Sequence, residues 1–132
     1  MSNISEKHLH IVSFDIPYPA NYGGVIDVFF RIKSLHERNV KVHLHCFEYG
    51  RQHSEYLENF CYSVNYYKRA TNISKLFNSL PYIVCSRDSK ELLDNLKKDN
   101  YPILLEGLHC CGILLDADIQ KRNVIVRAHN VE

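Results

Sequence analysis

Residues 8–47 read HLHIVSFDIPYPANYGGVIDVFFRIKSLHERNVKVHLHCF, and this stretch decides the fold. Residues 8–14 are a short apolar run of the kind that forms a buried strand. Residues 15–24 then hold two prolines, an asparagine and two glycines, a composition that makes a loop. Apolar side chains recur at 25, 28, 29, 32 and 35, three and four apart. That spacing predicts a helix over 25–38 with one buried face, stopped by Asn39. From 40 to 47, Val40, Val42, Leu44 and Cys46 alternate with Lys41, His43, His45 and Phe47, which is the period of a strand. The unit is βαβ, and its crossover is expected to be right-handed.

Outward from this unit the pattern continues. Residues 51–59 are polar and read as helical or irregular, and 61–67 (CYSVNYY) read as a third strand. Ile73, Leu76, Phe77 and Leu80 form one helical stripe, interrupted by Pro81. Asp88 precedes Glu91 by three residues, close to a capping box, and Leu92, Leu93 and Leu96 line a helix ending near Asn100. Residues 102–107 (PILLEG) read as a fourth strand, 109–115 as a short helix and 123–128 (NVIVRA) as a fifth strand. The alternation predicts an α/β fold: a Rossmann-like parallel sheet with helices on both faces, as a single domain over 1–132. In such sheets ligands bind beyond the carboxyl ends of the strands. The polar residues there are Asp15, Glu48, Glu106, His109, His129, Asn130 and Glu132. Because the sequence reaches Glu132 just after its fifth strand, it reads as the first part of a longer protein.

Composition narrows the function. Sixteen basic and fifteen acidic side chains leave a net charge of +1, which gives no general pull on nucleic acid or acidic lipid. At 45% hydrophobic the chain is too apolar to be a disordered tail. It has no uninterrupted apolar run of about 18 residues, the length of a membrane-spanning helix. The opening MSNISEK lacks an apolar segment, so no signal peptide is expected and the cytoplasm is the expected compartment, with a membrane-peripheral location for a longer enzyme open. The five cysteines, Cys46, Cys61, Cys85, Cys110 and Cys111, contain no CxxC and are expected to be reduced thiols. Cys46 and Cys61 lie in apolar runs and read as core residues. The vicinal pair Cys110 and Cys111 has nothing near it in sequence to complete a metal-ligand set.

Several positions bear on chemistry, each with a plainer alternative. Gly23 and Gly24 precede a helix, where free backbone N–H groups and the helix dipole favour an anion. Their spacing matches neither GxGxxG nor GxxxxGK[ST], and a simple turn explains them equally. His8 and His10 share one strand face, as do His43 and His45. Were the two strands neighbours, four imidazoles would face one another and zinc would be conceivable, although solvated or hydrogen-bonded surface groups are the commoner outcome. His129 follows a buried strand, where it could donate a hydrogen bond or move a proton, or simply cap the strand end. Tyr18 and Tyr22 lie in the first loop and suit either stacking on sugar rings or loop anchoring. Tyr62, Tyr66 and Tyr67 read as packing residues of the third strand.

Four segments taken together resemble one family. Pro17-Tyr-Pro-Ala-Asn-Tyr-Gly-Gly resembles the opening loop of bacterial retaining glycosyltransferases of family 4. Leu80-Pro-Tyr-Ile-Val-Cys-Ser, Leu105-Glu-Gly-Leu-His and Arg127-Ala-His-Asn-Val-Glu resemble later segments of the same chains, in the same order. The resemblance implies a GT-B architecture of two Rossmann-like domains facing across a cleft, of which this sequence matches the N-terminal, acceptor-side domain. The C-terminal domain, with its Glu-x7-Glu motif and most of the nucleotide-sugar site, has no counterpart here. By the same resemblance, Gly23 and Gly24 let the donor diphosphate approach, and His129 contacts the donor sugar or polarises the reaction centre. Tyr18, Asn21, Tyr22, Asp27, Glu106 and His109 face the acceptor, and Arg127, Asn130 and Glu132 lie at the site edge. Many relatives carry a basic residue shortly after Gly-Gly, where this sequence has Val25-Ile26-Asp27.

The implied reaction is transfer of a sugar, with retained configuration, from a nucleotide-sugar to a glycan or lipid-linked acceptor in cell-surface polysaccharide synthesis. Such reactions pass through an oxocarbenium-like state. No metal and no cofactor are expected, the nucleotide-sugar being a substrate. The partners expected are the second domain and the acceptor, with no nucleic acid, and the isolated piece is expected to be inactive and to self-associate through an exposed cleft face. The competing reading is a complete small α/β domain that binds a ligand or regulates without catalysis. A receiver-type version of it needs an aspartate after the third strand and a lysine after the fifth, where Tyr67 and Arg127 stand instead. A zinc protein built on the paired histidines is the third reading.

Overall fold

The computed structural model describes residues 6–21, 23–48, 51–68, 90–107, 113–114 and 116–127. Five strands form one parallel sheet: β1 (Lys7–Ser13), β2 (Val40–Glu48), β3 (Ser63–Lys68), β4 (Ile103–Glu106) and β5 (Val124–Arg127). Their order across the sheet is β3-β2-β1-β4-β5. The chain therefore steps outward from β1 to β3, then crosses back to the other side of β1 for β4. Neighbouring connections diverge between β1 and β4, which makes that crevice the topological switch point.

The helices are α1 (Gly23–Glu37), α2 (Lys90–Leu96) and α3 (Ala117–Gln120), with a 3₁₀ turn at Glu55–Asn59. Of the apolar stripe predicted for the first helix, Val25, Val28, Phe29 and Ile32 are buried and Leu35 is half-buried. Val28, Phe29 and Ile32 pack with Ile11, Val42, Leu44, Cys46 and Leu104 on one sheet face. A fully buried side chain such as Ile32 stabilises by about 2 kcal/mol. Asn39 ends the helix with a positive φ of 64°, a conformation asparagine tolerates better than most residues. The opposite sheet face packs Val12, Phe47, Tyr67, Ile103 and Leu105 against Leu92 and Leu96 of α2 and Ile119 of α3. Helices thus cover both faces. Asp116 caps α3, its carboxylate accepting from the N–H groups of Asp118 and Ile119.

Some boundaries differ from the sequence reading. The third strand starts at Ser63 rather than at residue 61, and Tyr62 is exposed just ahead of it. Its ring lies beside His8 and His43 instead of in the core. The helix expected to run to Asn100 closes at Leu96. The short helix α3 was not expected. The helical stripe of 72–80, Pro81, Asp88 and the segment 80–86 lie outside the described residues, as does most of 109–115.

Candidate functional site

The carboxyl ends of β1, β2 and β4 carry the residues the sequence singled out. After β1, Ser13 Oγ donates to the Asp15 carbonyl at 2.5 Å, and the Asp15 carboxylate accepts from the N–H of Ile16 at 2.8 Å. Asp15 is buried, so this turn is fixed from within. Gly23 and Gly24 open α1. A Cβ at Gly24 would lie 2.5 Å from Cζ of Phe14, whereas a Cβ at Gly23 would meet nothing within 4 Å. The two glycines therefore differ: Gly24 admits the Phe14 ring, and Gly23 leaves open space at the helix start. After β4, Gly107 has φ 103° and donates its N–H to the Arg127 carbonyl at 2.7 Å. That φ favours glycine over any residue with a side chain.

Two clefts divide the expected site residues between them. The first, of about 630 Å³, is lined by Tyr18, Pro19, Asn21, Arg51, Gln52, His53, Ser54 and Glu55. The Tyr18 ring is held against Tyr56 and Phe29, with centroids 4.6 and 5.3 Å away. Arg51 donates to the Pro19 carbonyl and so ties the loop after β2 to the loop after β1. His53 bonds Glu48 through Nε2 at 2.8 Å and lies flat on Tyr66, at 3.7 Å and 4°. Tyr66 Oη in turn donates to the Ser54 carbonyl and accepts from the Ser54 N–H.

The second cleft, of about 590 Å³, runs along α1 and is lined by Ile26, Asp27, Phe30, Arg31, Ser34, Leu35, Arg38 and Arg127. Beneath it Glu106 is fully buried. Strand parity places Glu106 with Leu104 on the α1 face, where its carboxylate accepts from Arg31 Nε at 2.5 Å. Arg127 lies 3.9 Å from the other carboxylate oxygen. Glu106 thus meets the guanidinium groups of Arg31 and Arg127 on the side of this cleft.

Of the expected acceptor residues, then, Tyr18 and Asn21 share one cleft, and Asp27 and Glu106 gather at the other beside the expected site-edge residue Arg127. Tyr22, His109, His129, Asn130, Glu132, Cys85, Cys110 and Cys111 lie outside the described residues. Arg51, Gln52 and His53 had not been singled out. The signal for them was the polar run Arg51-Gln-His-Ser-Glu, which begins three residues after the end of β2.

The four histidines do face one another, but as two hydrogen-bonded chains and not as surface groups. β1 and β2 are neighbours, with His10 opposite His43. His10 and His45 are buried. His10 Nε2 lies 2.8 Å from Asp99 Oδ1, and His10 Nδ1 lies 2.9 Å from His45 Nε2. His45 Nδ1 lies 2.7 Å from Tyr67 Oη, which accepts from Asn95 Nδ2 at 2.9 Å. An ionised carboxylate only accepts, so the direction is fixed. Asn95 donates to Tyr67, Tyr67 to His45, His45 to His10 and His10 to Asp99, with both rings neutral.

A second chain runs parallel with looser ends. Ser63 Oγ is 3.4 Å from His43 Nδ1, His43 Nε2 is 2.9 Å from His8 Nδ1, and His8 Nε2 is 3.5 Å from Glu6. Burial drives His45 down to about 3 and His43 to about 4, with neighbouring imidazoles adding to both. Burial also lowers His10, outweighing the Asp99 bond that raises it. In each chain a ring uses one nitrogen for its neighbour and the other for an end group. Among the described residues no three His, Cys, Asp or Glu side chains are arranged to hold a metal ion. Cys46 and Cys61 are free thiols, and burial pushes Cys61 up to about 12.

Comparison with known proteins adds one relative. Over 129 aligned residues the chain is 33% identical to an uncharacterized 44.6 kDa protein in the cps region of Klebsiella pneumoniae, with 92% of this chain covered. The chain spans about a third of that relative's length, 33%. No family model matches the chain, and no solved structure matches it significantly. No helix among the described residues is long and apolar enough to cross a membrane.

Proposed function

We propose that this chain is the N-terminal, acceptor-side domain of a retaining glycosyltransferase of GT-B type, acting in the synthesis of a capsular or other cell-surface polysaccharide. The observation that carries the reading is the loop Pro17-Tyr-Pro-Ala-Asn-Tyr-Gly-Gly, which joins β1 to α1 at the carboxyl edge of a 3-2-1-4-5 parallel sheet. Its Tyr18 and Asn21 line an open cleft of a size that suits a sugar. Similarity to a protein of a cps region supports the pathway, and that relative's length leaves room for a second domain.

In this reading the cleft beside β1 and β2 seats the acceptor, and Gly23 marks where the donor diphosphate approaches the start of α1. His129 contacts the donor sugar. Catalysis rests on holding the acceptor hydroxyl near the anomeric carbon and on stabilising the departing diphosphate, the second largely from the other domain. The donor is a substrate and no metal is invoked.

Reading the gene beyond codon 132 tests the proposal. An open frame encoding a second α/β domain with Glu-x7-Glu is the expected result. A stop codon at that point overturns the transferase and favours a small ligand-binding domain.

A further inference from the structure

The first cleft says something about what kind of acceptor it takes. Its lining charges cancel, Arg51 against Glu55, and the Arg51 guanidinium is already engaged by the Pro19 carbonyl. That is a poor seat for a phosphate, which needs uncompensated donors. What remains is a set of planar polar groups beside an aromatic ring: Asn21, Gln52, His53 and Tyr18. Such a mixture recognises hydroxyl groups and the apolar face of a sugar.

His53 is the most constrained of these. One ring face lies flat on Tyr66, and Tyr66 is itself fixed through both polar atoms of the Ser54 backbone. In the neutral ring, donation of the Nε2 N–H to Glu48 leaves Nδ1 as an acceptor. Nδ1 has no partner among the described residues, and the side chain is 57% exposed at the cleft wall. A ring locked in tautomer and orientation, with one lone pair open, loses little freedom when a hydroxyl binds it.

We propose that His53, oriented by Glu48 and Tyr66, accepts a hydrogen bond from a hydroxyl of a neutral sugar, so that the acceptor end seated here is a glycan and not a bare lipid phosphate. This rests on the transferase reading. His53 is a binding residue, and Glu48 and Tyr66 are positioning residues.

The test uses the full product of the gene that encodes this chain, with UDP- and GDP-activated sugars as donors. The acceptors are polyprenyl-diphosphate-linked monosaccharides in one arm and polyprenyl phosphate in the other. Transfer to the sugar-bearing lipid alone is expected. His53→Ala should raise the acceptor KM about tenfold, the loss of one hydrogen bond, with donor KM unchanged. His53→Gln, whose amide oxygen still accepts, should recover part of it. Because His53 is exposed, unchanged urea melts should accompany both variants.

Transfer to polyprenyl phosphate, or a wild-type acceptor KM in His53→Ala, overturns this inference while leaving the transferase reading intact. Absence of transfer from every donor to either acceptor removes both.

Discussion

Gly24 and Gly23 sit side by side in sequence yet answer to different constraints. A methyl group at Gly24 would press on the Phe14 ring at 2.5 Å, and that ring belongs to the turn that leads into the site. Gly24→Ala is therefore expected to destabilise by about 1–3 kcal/mol through overpacking, read from urea unfolding. Gly23→Ala meets open space and should be neutral or slightly stabilising in the same measurement, since alanine favours a helix more than glycine does. Equal effects of the two substitutions would contradict this division. Glu106 is the other residue with a sharp expectation. Glu106→Gln removes the charge that receives Arg31 and approaches Arg127, and Arg31 is itself partly exposed. The expected cost is about 2 kcal/mol, the range for a hydrogen bond to a charged group, with the loss visible in urea melts at neutral pH. An unchanged midpoint would mean that the neutral amide receives Arg31 as well as the carboxylate does.

The paired strands β1 and β2 predict a pH dependence. His10, His43 and His45 all have pKa values below the ordinary histidine value of 6.5 in the folded protein, His43 at about 4 and His45 at about 3. Below 6.5 the unfolded chain takes up protons on these rings that the folded chain refuses. Stability is thus complete above that pH and declines as pH falls toward 4 for His43 and 3 for His45. Each ring that stays neutral contributes a loss of about 1.4 kcal/mol per pH unit, less for half-buried His43. Chemical unfolding between pH 7.5 and pH 5 should show a steep decline, and His45→Gln should flatten it. A level profile would contradict the buried chains.

These chains also mark where sequence reasoning ran out. Strand periodicity placed His8 with His10 and His43 with His45 but left open whether the two strands are neighbours, which their parallel pairing settles. The end groups were out of reach, because Asp99 lies 89 residues from His10 and Tyr67 lies 22 from His45. Only the pairing of β1 with β4 and of β2 with β3 brings them in. Local signals served better where one element decides the outcome: the stripe Val25, Val28, Phe29, Ile32 fixed α1, and Asn39 closed it. At the first cleft, Tyr18 was legible from its loop, and Asn21 came from the family resemblance. His53 was not, because its orientation depends on Glu48 and Tyr66 from two separate strands.

At the scale of the whole molecule, large apolar side chains among the described residues are left exposed on α1 and β5. Ile26 and Phe30 of α1 and Ile125 and Val126 of β5 are exposed, Phe30 and Ile125 by more than half. Ile125 pairs with Leu104 and so shares the α1 face with Phe30, next to the second cleft. Exposed apolar residues beside an edge strand favour association. Light scattering of this 132-residue chain is expected to show concentration-dependent dimers or larger species, reduced by Phe30→Glu and Ile125→Lys together. A monomer at all concentrations would mean that Arg31, Arg38 and Arg127 keep the surface solvated. The same scale holds the central claim, that this sheet edge serves sugar transfer. The most direct measurement is release of nucleoside diphosphate by the full gene product, supplied with lipid-linked glycans from the source cells and a panel of nucleotide-sugars. One donor should give acceptor-dependent release, with the product keeping the anomeric configuration of the donor. A folded protein that releases nothing from any donor, or a product of inverted configuration, would contradict the account.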